Sequence, residues 1–465
     1  MIRIGFLSTV DGVYFDVYKM YEFKNQLEKD MQKVVEILAK KYDIVYPGLV
    51  ANMADAHHAS KKFRAEELDL IIVCEAGYTG SWQPLAALEG CDHIPVLLWM
   101  YKPREDIPID LDLMEVLRSA GVNGTVELAQ TFRRKGMNFS FIVGTPYVEE
   151  TIKQIDEYIQ IAALRRYLKD ANIALIPYRC PLMPDTFEDE FKFTQRIGPK
   201  ITNVSVEELR TIFSNVPQEE VVKEVLRMKE TYTVLEPEEE DLKRGARFKI
   251  ALERLAEIGH FNGISLWTSE EFFTAFGVTP EAGVENLDDK GIMVATEGDV
   301  SALTSMMILN HLTGSPAMFC EFLSYDKRDN TVLMGHWGPA GIKMARSNKE
   351  VALTTPHVSL DWIPNPPPHG VAVEYIAKPG EVTILNLSCD DKGYKMVFFS
   401  GDAIDTSRRH IHFPHAIIKL RRPVDQFFKD LTEEGVKHHF ALAHGNLTKK
   451  LAKLADLLVI RGLEI

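Results

Sequence analysis

Acids and histidines in the second half of the chain have the types and positions needed to bind a divalent cation. Glu297 follows one short apolar run and Glu321 lies near the end of another, while His336 follows a glycine and His438 and His439 are adjacent. A carboxylate at the end of a buried strand is costly unless a cation or hydrogen bonds compensate it. Carboxylates combined with imidazoles suit Mn²⁺, Co²⁺, Mg²⁺ or Zn²⁺. These residues therefore form a candidate metal site.

The chemistry of such a site is proton transfer beside a polarised carbonyl. A bound ion polarises a carbonyl and the adjacent hydroxyl, and a nearby carboxylate removes the proton from the neighbouring carbon. Structural alternatives remain at this stage: an ion pair for Glu297, a helix N-cap for Asp299 and a hydrogen-bonded core position for His336. The residues are far apart in the sequence, so only the fold can bring them together.

A second histidine group, His410 and His412 in the string Arg408-Arg409-His410-Ile411-His412-Phe413-Pro414-His415, is weighed against the first. On a strand, His410 and His412 would share one face, which is a metal-like spacing. No carboxylate lies beside them and Pro414 interrupts the run. A loop near the substrate entrance, or plain surface, is the preferred interpretation.

The elements that must position these residues change in character along the chain. Short apolar runs alternate with helix-length segments up to residue 168, and again from 169 to 315, which predicts two α/β domains with mostly parallel sheets. Residues 300–320 predict a buried helix followed by a strand. From 316 to 465 the pattern changes, and turn signals such as Asp390-Asp391-Lys392-Gly393 predict a β-rich third domain. The proline-rich stretch 365–369 predicts a stiff surface loop.

Composition narrows the classes of partner. The 465 residues carry 53 Lys and Arg against 67 Asp and Glu, a net charge of −14, which argues against nucleic acid and anionic membranes as partners. The first residues read as a strand, so a cytoplasmic protein is expected. The five scattered cysteines predict free thiols. The turn after the first strand lacks the glycine spacing of a dinucleotide-binding motif, which disfavours a dehydrogenase.

The candidate residues, taken in order, resemble the L-arabinose isomerase and L-fucose isomerase family. The strings that carry the resemblance are Glu297-Gly298-Asp299 at the start of a helix, Phe319-Cys320-Glu321, Gly335-His336, and His438-His439 followed by His444. Residues 181–190 and Ile197-Gly198-Pro199 support it. Thr296 departs from the pattern, because relatives often have cysteine before the acid.

The resemblance implies a metal-dependent aldose-ketose isomerase that works through an enediol. It implies two α/β domains of Rossmann or flavodoxin type and a β-rich, barrel-like C-terminal domain. Glu297 and Glu321 would bind Mn²⁺, with Co²⁺ or Mg²⁺ as alternatives, and exchange protons with an open-chain sugar. His439 matches a late metal ligand, and His336 matches a ligand of the arabinose branch only.

The resemblance also implies a homo-oligomer, a trimer or a hexamer, because sites in the family are completed by a neighbouring subunit. It does not specify the sugar. The alternative function is a non-catalytic sugar-binding or regulatory protein on the same fold, since tandem α/β domains also form solute sensors. The acids and histidines at the family's positions favour the enzyme.

Overall fold

The computed structural model describes residues 2–277, 285–338, 341–355 and 370–465. The chain forms two compact units, Met1–Arg166 and Tyr167–Ile465. The further boundary expected at residue 315 lies within the second unit and stays a prediction. The proline-rich stretch 365–369 lies outside the described residues. No helix among the described residues has the length and apolar character that crossing a membrane would require.

The first unit is an α/β sandwich around a parallel sheet. Its elements are β1 (Arg3–Thr9), α1 (Val13–Asp16), α2 (Tyr21–Ala39), β2 (Asp43–Val45), β3 (Leu49–Val50), α3 (Met53–Arg64), β4 (Leu70–Glu75), α4 (Trp82–Ala87), β5 (Val96–Tyr101), α5 (Leu113–Ser119), α6 (Gly121–Lys135), β6 (Ser140–Gly144) and α7 (Glu149–Asp170). The strand order is β2-β1-β4-β5-β6, with β3 paired to β1. Every residue of β4 is buried, as expected for a strand covered on both faces.

The second unit opens with another parallel sheet. Its first elements are β7 (Asn172–Ile176), α8 (Glu190–Arg196), β8 (Lys200–Asn203), α9 (Val206–Ser214), α10 (Gln218–Thr231), β9 (Thr233–Val234), α11 (Glu239–Gly259), β10 (Gly263–Leu266), α12 (Glu270–Phe276), α13 (Glu285–Asp289), β11 (Met293–Ala295) and α14 (Val300–Thr313). The order β11-β10-β7-β8 brings the carboxyl ends of these strands to one edge. Ligands approach parallel sheets at this edge.

Helix α14 lies in the interior of the second unit. Its first ten residues are all buried, so the helix is enclosed by its neighbours on every side. It ends at Gly314, and the next strand begins at Met318, which confirms the predicted buried helix followed by a strand.

The rest of the second unit is β-rich and closes into a ring. Its elements are β12 (Met318–Asp326), β13 (Thr331–Gly335), β14 (Ala352–Thr354), β15 (Ala372–Glu374), β16 (Gly380–Asp390), β17 (Gly393–Ala403), β18 (His415–Leu420), α15 (Val424–Glu434), β19 (Phe440–His444), α16 (Thr448–Leu458) and β20 (Arg461–Glu464). The order β16-β19-β12-β13-β18-β17 closes because β17 also pairs with β16. The predicted turn at residues 390–393 joins these two antiparallel strands. The predicted fold class is thereby confirmed.

Candidate active site

The turn after β11 presents Glu297 at the carboxyl edge of the second sheet. Both Glu297 (φ 63°) and Gly298 (φ 74°) have left-handed backbone conformations. Gly298 is required here, because a Cβ atom would lie 2.5 Å from Arg179 Cα. The Glu297 carbonyl accepts the N–H of Cys180 at 3.0 Å, and the Gly298 N–H donates to Leu266. The turn is therefore held by the last residue of β10 and by the segment that follows β7.

The two carboxylate oxygens of Asp299 have different roles: one caps a helix and the other binds a histidine. Oδ1 accepts the N–H groups of Ser301 and Ala302, both at 2.9 Å, so Asp299 is the N-cap of α14. Oδ2 accepts the Nδ1–H of His439 at 3.1 Å. Burial alone would raise the pKa of Asp299, but the charge of Lys437 and the hydrogen bond from His439 lower it to about 2. A buried, permanently charged carboxylate thus orients the imidazole.

The other nitrogen of His439 faces Glu297. His439 Nε2 lies 3.0 Å from Glu297 Oε2, and neither of these buried atoms has another hydrogen-bond partner among the described residues. Burial alone would lower the pKa of His439, but Asp299 and Glu297 raise it to about 9. Two ligand atoms at right angles around an ion, each at about 2.1 Å, stand about 3 Å apart. The separation of the two atoms, and the absence of any other partner for them among the described residues, fit a shared cation.

Glu321 and His336 approach Glu297 and His439 from the ring-closed sheet of the second unit: Glu321 lies on β12 and His336 follows β13. Strands β12 and β13 pair Glu321 with Gly335, so His336 follows directly at the strand end. His336 is 5% exposed, and its Nδ1–H donates to the Trp337 carbonyl at 2.5 Å. Burial lowers the pKa of His336 to about 4, so the ring is neutral and Nε2 carries a free lone pair. That Nε2 lies 3.8 Å from Glu297 Oε1.

The predicted site residues converge. One ligand atom from each of Glu321, His336 and His439 lies within 4.8 Å of the other two, and the same holds for Glu297, His438 and His439. His439 belongs to both groups and joins them. Burial and the charge of Glu297 raise the pKa of Glu321. Burial alone would also raise the pKa of Glu297, but the histidines lower it. The donor set therefore fits a divalent cation, by position and by chemistry.

The other candidate histidines of the sequence, His410, His412 and His444, do not join this site. His444 donates from Nε2 to the Lys378 carbonyl at 2.8 Å. His410 and His412 lie in a loop, as their sequence context favours. Neither belongs to a metal-type group among the described residues.

Sequence reasoning did not identify the partners that hold the histidines. His438 donates from Nδ1 to Asp185 Oδ2 at 2.6 Å, across 253 positions of sequence. Asp185 lies in the motif 181–190, whose conspicuous acids were the available signal, although nothing in the spacing connects it with a histidine. A pocket of about 310 Å³ opens beside the site, lined in part by Glu321, Lys437 and His438.

A buried charged cluster lies next to the site. Lys437 pairs with Glu188, whose side chain is fully buried, and donates to Ser301 Oγ at 3.0 Å. Tyr394 also donates to Glu188, at 2.9 Å. These contacts satisfy the lysine, so its charge can act on Asp299 without an unpaired buried cation.

Comparison with known proteins gives the class. No protein-family model matches the chain. A sulfoquinovose isomerase of Alkalicoccus urumqiensis is 23% identical over 373 residues, which cover 80% of this chain and 81% of the relative. Sulfoquinovose isomerases of Priestia aryabhattai (21% over 344 residues, 74% and 75%) and Clostridium sp. (strain MSTE9) (23% over 349 residues, 74% and 75%) are also similar.

These relatives share one enzymatic activity, which gives the class of the protein. The chain is an enzyme, an aldose-ketose isomerase. This outcome favours catalysis over the non-catalytic sugar-binding alternative. The relatives are named for sulfoquinovose and not for L-arabinose or L-fucose, so the resemblance noted in the sequence is supported at the level of sugar isomerases.

Proposed function

We propose that the isomerase is metal-dependent and that Glu297, Glu321 and His439 hold the ion, with His336 as a fourth ligand. The observation that carries the proposal is His439 Nε2, a buried atom 3.0 Å from Glu297 Oε2 and within 4.8 Å of ligand atoms of Glu321 and His336. The mixture of carboxylate and imidazole ligands favours Mn²⁺, with Co²⁺ or Mg²⁺ as alternatives.

Different residues of the site are proposed to carry out different parts of the isomerisation. A bound divalent ion would polarise the carbonyl and the neighbouring hydroxyl of an open-chain sugar. One glutamate of the pair Glu297 and Glu321 moves a proton between C1 and C2 through an enediol, and the other exchanges protons with the oxygens. Asp299 keeps the His439 ring in one orientation from the opposite side. Phe319, whose ring centroid lies 4.6 Å from those of both His336 and His439, forms an apolar wall that limits water.

The substrate is proposed to be an aldose, and two sets of sugars are the candidates. The resemblance of the motifs favours L-fucose and L-arabinose, whereas the names of the relatives favour sulfoquinovose. The decisive assay incubates metal-stripped protein with Mn²⁺ and each of these aldoses, together with D-galactose and D-arabinose, and measures ketose with and without chelator. Ketose that forms only with metal supports the proposal, whereas conversion indifferent to chelator refutes metal dependence.

Variants test the assigned residues. Glu297→Gln and Glu321→Gln should each abolish turnover while leaving the unfolding temperature close to that of the wild type. Glu433→Gln is the matched control, because its side chain is 67% exposed on α15. Full activity in both site variants would refute the assignment.

We also propose that the chain works as a homo-oligomer, a trimer or a hexamer, as the resemblance implies. Light scattering on purified protein measures this directly. A monomer that is fully active at all dilutions would contradict the proposal.

A further inference from the structure

The two adjacent imidazoles, His438 and His439, lie on the same side of the chain, which a strand cannot achieve. Successive side chains of a strand point to opposite faces. The ring centroids of His438 and His439 are nevertheless 3.8 Å apart. The strand β19 begins only at Phe440, so residues 437–439 have a different backbone path that something must hold.

The neighbouring strand β16 supplies the contacts that hold this path. Backbone pairing between β16 and β19 runs from Val382 with His444 to Leu385 with Ala441. Asn386 follows at the next position of β16 and is 1% exposed. Where the regular backbone pairing ends, the side chain of Asn386 therefore makes the next hydrogen bonds to the chain before β19.

Asn386 bridges the backbone on both sides of His438. Its Nδ2 donates to the Lys437 carbonyl at 2.9 Å and to the His439 carbonyl at 2.7 Å. Its Oδ1 accepts the hydroxyl of Ser388, and Ser388 Oγ in turn accepts the Lys437 N–H at 3.0 Å. Both donors of the buried amide are thus used on one three-residue segment, and its acceptor oxygen binds Ser388, which itself contacts that segment.

The geometry points to Asn386, supported by Ser388, as a positioning residue that sets the His439 ring between Asp299 and Glu297 and thereby the metal affinity of the site. This inference rests on the proposed function, because it takes His439 as a ligand. The physical reason is that a buried amide with every hydrogen bond satisfied permits a single backbone path. Neither residue belongs to the metal-type groups of the site; each acts through the segment 437–439.

A matched control exists within the same barrel. Asn330 also bridges two carbonyls two residues apart, those of Leu420 at 3.1 Å and Arg422 at 2.9 Å. It lies at the start of β13, the end opposite to His336. Asn330→Asp therefore removes the same kind of double donor as Asn386→Asp, but away from the proposed ligands.

The test measures Mn²⁺ binding to metal-stripped protein from the electron paramagnetic resonance signal of free Mn²⁺, together with the unfolding temperature. We expect Asn386→Asp and Asn386→Leu to weaken Mn²⁺ binding about 10- to 100-fold, as for other groups that orient a ligand. Ser388→Ala, a milder change that deletes one hydroxyl, should weaken it about threefold or more. Asn330→Asp should lower the unfolding temperature while leaving the Mn²⁺ dissociation constant within about twofold.

The outcomes separate the two proposals. A wild-type Mn²⁺ site that disappears in His439→Ala establishes the ligand. Given that site, Asn386 and Ser388 variants that bind Mn²⁺ like Asn330→Asp would overturn the positioning role alone. A wild-type protein without a His439-dependent Mn²⁺ site would overturn the proposed function, and the present inference with it.

Discussion

Glu75 should make the stability of the first unit fall as pH rises. It is the last residue of β4, its side chain is 0% exposed, and neither carboxylate oxygen has a side-chain partner among the described residues. Burial raises its pKa from 4.5 to about 9; the backbone N–H of Thr79 opposes this rise and the charge of Glu127 adds to it. The acid therefore stays protonated in the folded protein at neutral pH.

The magnitude follows from linkage. Between pH 4.5 and 9 the unfolded chain ionises this carboxyl while the folded chain keeps its proton. The folded state binds more protons in that window, so stability decreases with pH by about 1.4 kcal/mol per unit. From pH 5 to pH 8 the loss is about 4 kcal/mol, and at pH 7 the protonated acid disfavours folding by about 3 kcal/mol relative to a group that cannot ionise.

The perturbation is Glu75→Gln, which keeps the shape of the side chain and removes its ionisation. Shape matters because a Cβ on Gly124 of α6 would lie 1.6 Å from Glu75 Oε2, which leaves no room for a larger residue. The variant should be more stable than the wild type by about 3 kcal/mol at pH 7 and by little at pH 4.5. Urea unfolding at a series of pH values, with fluorescence detection, measures the difference.

An exposed acid of the same unit serves as the control for the effect of burial on Glu75. Glu67→Gln removes an acid whose side chain is 86% exposed, and should leave the pH dependence unchanged. If the stability of Glu75→Gln parallels that of the wild type from pH 5 to pH 8, the folded protein already ionises Glu75 and the reasoning from burial is wrong.

Further predictions concern the site. Asp299→Asn keeps a good N-cap residue but loses the carboxylate behind His439, so Mn²⁺ affinity should fall about 10- to 100-fold, as equilibrium dialysis will show. Gly298→Ala should destabilise the second unit by about 2 kcal/mol or more in urea unfolding, since its φ is 74° and Arg179 blocks the Cβ; unchanged stability would contradict the packing. Because the pKa of His439 is raised to about 9, Mn²⁺ binding should release a proton and tighten from pH 6 to pH 8, measured by calorimetry in buffers of different ionisation enthalpy; pH-independent binding would refute it.

Much of the fold follows from local patterns in the chain. Apolar runs alternating with helix-length segments predict the parallel sheets, because a strand covered on both faces must be apolar throughout, as β4 is. The hairpin of β16 and β17 is signalled by residues 390–393, where the turn chemistry is local. The N-cap at Asp299 is likewise predictable, since the acid directly precedes a helical pattern.

The candidate site is predictable only in part. Residue type and family order predict Glu297, Glu321, His336 and His439, and these four lie together in the structure, while their roles as ligands stay a prediction. The groups that orient them depend on contacts that spacing does not encode. His439 meets Asp299 across 140 positions, and its carbonyl meets Asn386 across 53. Such partners can be identified only from the tertiary structure, because the closure of the β-rich sheet brings them into contact.

The charges of the site explain why each imidazole needs a different environment. His336 donates from Nδ1 to a carbonyl and is neutral because burial lowers its pKa, so it can offer Nε2 at once. His439 lies between two carboxylates, Asp299 and Glu297, and without a cation it must hold both ring protons. Asp299 secures the proton on Nδ1, so only the proton on Nε2 is exchangeable. A divalent cation in place of that one proton would add positive charge near Glu297 and Glu321, and it would offset the repulsion by which the charge of Glu297 raises the pKa of Glu321.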